Sequence, residues 1–130
     1  MPVWRMLDAA SFGVPQRRER VFILAYRDGT LFEFPTPTHG NQLDLFGGSK
    51  LEPYRTAWDA LGDLPENPNE PGLKMGGKWA DLLPAIPEGE NYLWHTPRGK
   101  GRPLFGWRTR YWSFLLKLAK DRPSWTIQAQ

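Results

Sequence analysis

Two apolar runs near the start of this chain predict a pair of β-strands. Residues 21–26, Val-Phe-Ile-Leu-Ala-Tyr, have the β-branched and aromatic content of a buried strand. Val3-Trp4-Arg5-Met6-Leu7 reads as a shorter strand that ends near Asp8. Together they predict an antiparallel pair joined by a long connection. Further on, Thr56 is placed as an N-cap for a short helix over 57–61, closed by Gly62. Asp59 at its third position suits the helix dipole, and Trp58, Leu61 and Leu64 supply its apolar face. A second short helix is predicted over 79–83, with Trp79, Leu82 and Leu83 as its buried face and Pro84 as its stop.

The C-terminal pattern changes to period two. Trp112, Phe114, Leu116 and Leu118 alternate with Ser113 and Lys117, and Lys120-Asp121-Arg122-Pro123 reads as a turn. Trp125, Ile127 and Ala129 then alternate with Ser124, Thr126 and Gln128, which predicts a β-hairpin. A helix over 112–119 competes, because Trp112, Leu115, Leu116 and Ala119 also line one helical face. Residues 40–53 and 66–77 lack periodicity and read as loops. The predicted class is α+β: a small irregular mixed domain of short β-hairpins and short helices.

Composition agrees with short elements. Gly and Pro, 13 each, make up a fifth of the 130 residues and imply many turns. Some of the seven Trp must be core, since aromatics dominate burial in small irregular folds. No apolar run is long enough to span a bilayer and there is no signal-peptide pattern, so a soluble protein without a membrane partner is expected. There is no cysteine, hence no disulfide framework, no Cys-based metal site and no thiol nucleophile; this fits a reducing cytoplasm. His39 and His95 stand alone, without spaced ligand partners, so no metal is expected.

Net charge is +3, but it is segregated. Residues 1–27 carry five Lys/Arg against two Asp/Glu, or +3; residues 28–96 carry four against eleven, or −7; residues 97–130 carry eight against one, or +7. A basic C-terminal third beside an acidic middle suits a surface with one side facing a polyanion. Within it, Arg98-Gly99-Lys100-Gly101-Arg102 alternates cation and glycine, a backbone able to approach a phosphate closely. Phe105-Gly106-Trp107-Arg108-Thr109-Arg110-Tyr111-Trp112 interleaves cations with aromatics, an arrangement that suits phosphates, guanine edges and base faces. Aromatics in the core with arginines in water account equally well for the Trp and Phe residues there.

The stretch before the second strand, Gly13-Val14-Pro15-Gln16-Arg17-Arg18-Glu19-Arg20, is a turn followed by clustered arginines. Arg18 and Arg20 share a face if the strand already begins there, and parallel guanidinium groups suit phosphate or carbonyl oxygens. The residues alone leave open a solvated basic turn. The whole string FGVPQRRERVFILA, residues 12–25, resembles the eighth conserved motif of the DNA cytosine-5 methyltransferases, Gln-x-Arg-x-Arg followed by a hydrophobic strand. Phe34-Pro35-Thr36-Pro37-Thr38-His39 resembles that family's exit from the catalytic domain, and AWDALGDLP resembles a structural segment that follows. Thr126-Ile127 in RPSWTIQAQ is similar to the Thr-aliphatic pair near the end of the family's target-recognition domains.

The resemblance carries several expectations. Residues 1–30 are an edge hairpin of a Rossmann-like catalytic domain otherwise absent from this chain, so the hairpin exposes an apolar face and an edge that invite pairing. Residues 31–130 are the target-recognition domain. Arg20 hydrogen-bonds the carbonyl oxygen of a flipped cytosine, Arg18 holds a nearby phosphate, and Gln16 supports them. Arg98, Lys100, Arg102, Arg108, Arg110, Thr126 and Gln128 contact DNA. The cofactor-binding glycine motif, the Pro-Cys nucleophile loop, the Glu-Asn-Val segment and the last two motifs of the family are absent. The chain is thus expected to be an excised or split portion, inactive alone, of a bacterial cytoplasmic restriction-modification enzyme. No cofactor is expected in this chain, and S-adenosylmethionine is expected in the parent. The implied partners are double-stranded DNA, the remainder of the catalytic domain, and a second copy through the exposed hairpin. A stand-alone duplex-DNA-binding module and a Trp/Pro-rich protein-interaction domain are the competing readings.

Overall fold

The computed structural model describes residues 1–41, 51–64 and 76–126. Two compact units emerge: residues 1–60 with 121–130, and residues 61–120. The boundary at residue 30 expected from the sequence divides the chain by family role, which is a different criterion from compactness.

The first unit is built on β1 (Val3–Asp8) and β2 (Glu19–Leu24), an antiparallel pair in the expected places. Its register sets Trp4 opposite Ile23, Arg5 opposite Phe22 and Met6 opposite Val21. Trp4, Met6, Val21 and Ile23 therefore share one face, because side chains alternate along a strand. Trp4 and Ile23 are each 71% exposed, and Phe22 on the opposite face is exposed as well. A strand of core composition thus carries exposed side chains on both faces.

Between the strands, Ala9–Phe12 form one 3₁₀ turn. Asp8 caps it by accepting from Ala10 N–H, and Gly13 closes it in the left-handed conformation at φ 83°. The His39 ring packs on Gly13, where an added Cβ would come within 2.8 Å of Cε1. His39 is buried, with Nδ1 2.8 Å from Thr38 Oγ1 and Nε2 3.3 Å from Glu52 Oε2. It belongs to the short parallel pair β3 (His39–Gly40) and β4 (Glu52–Pro53), which Thr38 N–H ties back to Ser11 O at 2.9 Å.

The helix α1 (Ala57–Leu61) matches expectation at its start. Asp59 N–H donates to Thr56 Oγ1 at 3.1 Å, and Thr56 N–H donates to Asp59 Oδ2 at 2.7 Å, a reciprocal cap. Hydrogen bonds from the Thr56 backbone N–H and then its side chain hold the Asp59 carboxyl below its ordinary pKa. Thr56→Ala should cost about 1 kcal/mol, read as a lower urea midpoint; an unchanged midpoint would contradict the cap's role. The expected apolar face is corrected: Trp58, Leu61 and Leu64 are exposed, and Ala57 is the residue that α1 buries. Five residues are too few to turn a stripe against a core.

The second unit is organised by aromatic rings. Phe105 meets Trp79, Tyr92 and Phe114 edge-on at centroid distances of 5.1, 5.9 and 5.6 Å, and Tyr92 also meets Phe114 at 5.9 Å. Tyr92 and Phe105 are buried with Ile86, Ala119, His95 and Thr96. The expected helix over 79–83 is instead a 3₁₀ turn over Ala80–Ala85 that includes Pro84. Pro84 has no N–H for an α-helical bond, whereas the tighter turn is held by Leu82 N–H to Trp79 O at 3.1 Å and Ile86 N–H to Leu83 O at 3.2 Å. A second 3₁₀ turn covers Tyr92–His95, capped by the Asn91 side chain on Leu93 N–H.

The hairpin expected over 112–129 does not form among the described residues, and neither does the competing helix. Leu115 has φ +52°, a left-handed backbone that ends any strand or helix there. Residues 111–116 turn instead, and the returning backbone pairs with residues 89–92: Gly89 N–H to Lys117 O at 3.0 Å, Lys117 N–H to Glu90 O at 2.9 Å, and Tyr92 N–H to Phe114 O at 3.1 Å. Residues 127–129 of that predicted hairpin lie outside the described residues. No helix is long and apolar enough to cross a membrane among those described.

Candidate nucleic-acid interface

Two groups of candidate side chains lie in the two units. In the first unit the Gln16–Arg20 stretch is positioned by Asp8. Its Oδ1 accepts from Arg18 N–H at 3.0 Å and Ala10 N–H at 3.2 Å, and its Oδ2 accepts from Arg17 Nη1 at 2.6 Å. Desolvation pushes the Asp8 carboxyl up, but the hydrogen bonds from Arg17, Arg18 and Ala10 together outweigh it and hold it below its ordinary pKa. Arg17 also lies over the Tyr54 ring, with its guanidinium carbon 4.1 Å from the centroid. Arg17 is therefore occupied as a brace. Arg18, just before β2, and Arg20, within it, carry exposed side chains. Arg18 precedes the strand, so the shared face expected for the two arginines is not imposed by strand alternation. Arg20 Nη1 donates to the neighbouring Glu19 O at 2.6 Å.

The same stretch is stitched to the far end of the chain. Gln16 and Ser124 form a parallel bridge, with Ser124 N–H donating to Pro15 O at 2.9 Å and Arg17 N–H to Ser124 O at 2.7 Å. Thr126 Oγ1 donates to Arg17 O at 2.8 Å. Gln16 and Thr126, singled out on separate grounds, are thus neighbours. Gln128 lies outside the described residues. Asp8, Arg17 and Tyr54 were not anticipated; an Asp before Ala9-Ala10, at a strand end, was the only available signal, as an N-cap residue.

In the second unit Arg98, Lys100, Arg102, Arg108 and Arg110 are all exposed. Among the described residues none of the five is paired with a carboxylate, whereas Arg17, Lys120 and Arg122 are. Arg98 and Arg108 both lie against Trp107, at 4.8 and 5.8 Å from its ring centroid. The glycines of the 98–102 segment serve packing inside the protein. A Cβ on Gly99 would collide with the carbonyl oxygens of Leu93 and Trp94, and one on Gly101 would lie 2.6 Å from Trp94 Cδ1. Gly101 N–H donates to Trp94 O at 2.9 Å, and His95 Nδ1 donates to Arg102 O at 3.1 Å. These contacts anchor the loop to residues 93–95. His95 is structural.

For a cofactor, the shallow groove between Val3–Arg5 and Phe32–Thr36 offers Glu33 and Arg5 as charged groups. Arg5 already lies over Phe34 at 5.3 Å. Such an open groove does not fit a nucleoside cofactor, which needs an enclosed site with several converging polar groups.

Comparison with known proteins agrees with the motif. The chain is 47% identical over 132 residues to the type II methyltransferase M.SacI of Streptomyces achromogenes, covering 99% of this chain and 33% of that protein. It is 54% identical over 67 residues to type II methyltransferase M.AquIA of Picosynechococcus, covering 48% of the chain and 27% of that protein. It is 42% identical over 99 residues to type II methyltransferase M.NgoFVII of Neisseria gonorrhoeae, covering 74% and 25%. The chain thus spans a quarter to a third of the length of these relatives. No solved structure matches it. The family model of the C-5 cytosine-specific DNA methylases matches residues 2–98, three quarters of the chain, and the chain belongs to that family.

Proposed function

We propose that this chain is the DNA-reading portion of a cytosine-5 DNA methyltransferase of the restriction-modification type. Arg98, Lys100, Arg102, Arg108 and Arg110 contact duplex DNA, through phosphates for register and base edges for sequence. The observation that carries this reading is the set of five exposed cations, none paired with a carboxylate among the described residues, in the chain's most basic segment. In the complete enzyme, Arg20 hydrogen-bonds the carbonyl oxygen of a flipped cytosine and Arg18 holds an adjacent phosphate, supported by Gln16 and Thr126. The attacking thiol comes from outside, since this chain has no cysteine. S-adenosylmethionine, bound by the remainder of the enzyme, supplies the methyl group. The uncovered faces of β1 and β2 are the seat for the remainder of the catalytic domain.

Salt dependence tests the reading. Binding of the chain to a fluorescent duplex should weaken steeply as salt rises, with a log–log slope of about −4.5 if all five cations reach phosphates. A slope near zero, or no binding at low salt, would contradict it.

A further inference from the structure

Tyr111 is the most exposed aromatic side chain among the described residues, at 87%. The backbone around it is held at residues 110–112. The Tyr92 hydroxyl donates to Arg110 O at 2.9 Å and accepts from Arg110 N–H at 3.2 Å. Asn91 Nδ2 donates to Trp112 O at 2.6 Å, and Phe114 N–H donates to Tyr111 O at 2.9 Å. Tyr92 itself is buried in the aromatic cluster. Three positions before Tyr111, Arg108 has φ +56°, a backbone that non-glycine residues rarely adopt and that tends to persist where function requires it.

An ordinary exposed tyrosine sits on a surface that needs no such holding. Here a core tyrosine and an asparagine fix the backbone around a ring that has almost no protein against it. Such a ring pays little conformational entropy when it stacks on a flat partner, because the chain beneath it is already ordered. The neighbouring Arg108 and Arg110 make that partner polyanionic. A nucleobase meets both requirements: it presents a π-face and is flanked by phosphates.

We propose that Tyr111 is a base-stacking side chain, which packs on a nucleobase displaced from its normal stack while Arg108 and Arg110 hold the flanking phosphates. This rests on the DNA reading above and goes beyond it by naming the ring and the mode of contact. A fully paired duplex hides its base faces. A duplex with one unpaired, bulged nucleotide offers one, and is the discriminating probe.

The test measures anisotropy of two labelled 20-base-pair duplexes, one matched and one carrying a single-nucleotide bulge, with the full chain. The unsubstituted chain should prefer the bulged duplex by on the order of tenfold. Tyr111→Ala should abolish that preference and Tyr111→Phe should keep it, since the ring and not the hydroxyl makes the contact. Arg110→Ala should weaken both duplexes alike. Equal binding of the two duplexes by the unsubstituted chain, or a preference that survives Tyr111→Ala, overturns the proposal while leaving the DNA reading intact. Failure to bind either duplex at low salt overturns the DNA reading itself, and the proposal with it.

Discussion

Tyr92→Ala is expected to cost about 3–5 kcal/mol, the range for deleting a buried large aromatic. Three separate losses converge on this one side chain. Its ring packs against Phe105 and Phe114, so both lose an aromatic partner. Its hydroxyl satisfies both backbone groups of Arg110, which would be left to water. A cavity replaces a residue that is almost fully buried. Native domains have only about 5–15 kcal/mol in hand, so residues 61–120 should lose cooperative unfolding or melt near room temperature. Tyr92→Phe separates the contributions: it keeps the ring and should cost about 1–2 kcal/mol, while loosening the backbone that carries Arg110 and Tyr111. Thermal unfolding of both variants checks this. A Tyr92→Ala protein as stable as the parent would mean that the cluster does not hold the unit together.

Asp8→Ala should cost about 2–3 kcal/mol, because it strands an arginine and two backbone N–H groups that now share one carboxylate. Hydrogen bonds to a charged acceptor are the stronger kind, and this side chain is only 12% exposed. Asp8→Asn keeps an oxygen for the two N–H groups and should lose about half as much. The pH dependence has a definite sign. The folded Asp8 carboxyl titrates below its unfolded value of about 3.9, so its contribution is fully present above that pH. It is lost as pH falls through the lower, folded value. Urea midpoints between pH 6 and pH 2 should therefore fall on acidification more in the parent than in Asp8→Asn. Parallel profiles would remove Asp8 from the account.

What could be read in the sequence was mostly local. The β1–β2 pair followed from β-branched runs, and the start of α1 from a Thr and an acidic residue three positions on. Both depend on neighbours in the chain. The hairpin expected after Trp112 failed for a non-local reason. The alternation of Trp112, Phe114, Leu116 and Leu118 is real, but Leu115 takes a left-handed backbone and residues 89–92 capture the pairing groups. No periodicity encodes that competition. The same limit applies to the motif. Gln16, Arg18 and Arg20 were recognisable as a string, whereas Asp8 holds the Arg18 N–H and Tyr54 packs on Arg17 through space, and of these two only Asp8 carried a signal, as an N-cap residue.

The stitch between the motif and Ser124 has a topological consequence. Ala57 N–H donates to Arg122 O at 2.8 Å, so the chain leaves the first unit and re-enters it at adjacent points. Everything from residue 61 to 120 is an excursion whose two ends are already held together. Insertions with adjoining ends can be lengthened, shortened or exchanged at little cost to the scaffold, because closing the loop no longer depends on what fills it. Residues 61–120 are in effect a cassette, and a different one could be grafted between residues 60 and 121 while the arginine motif stays in place.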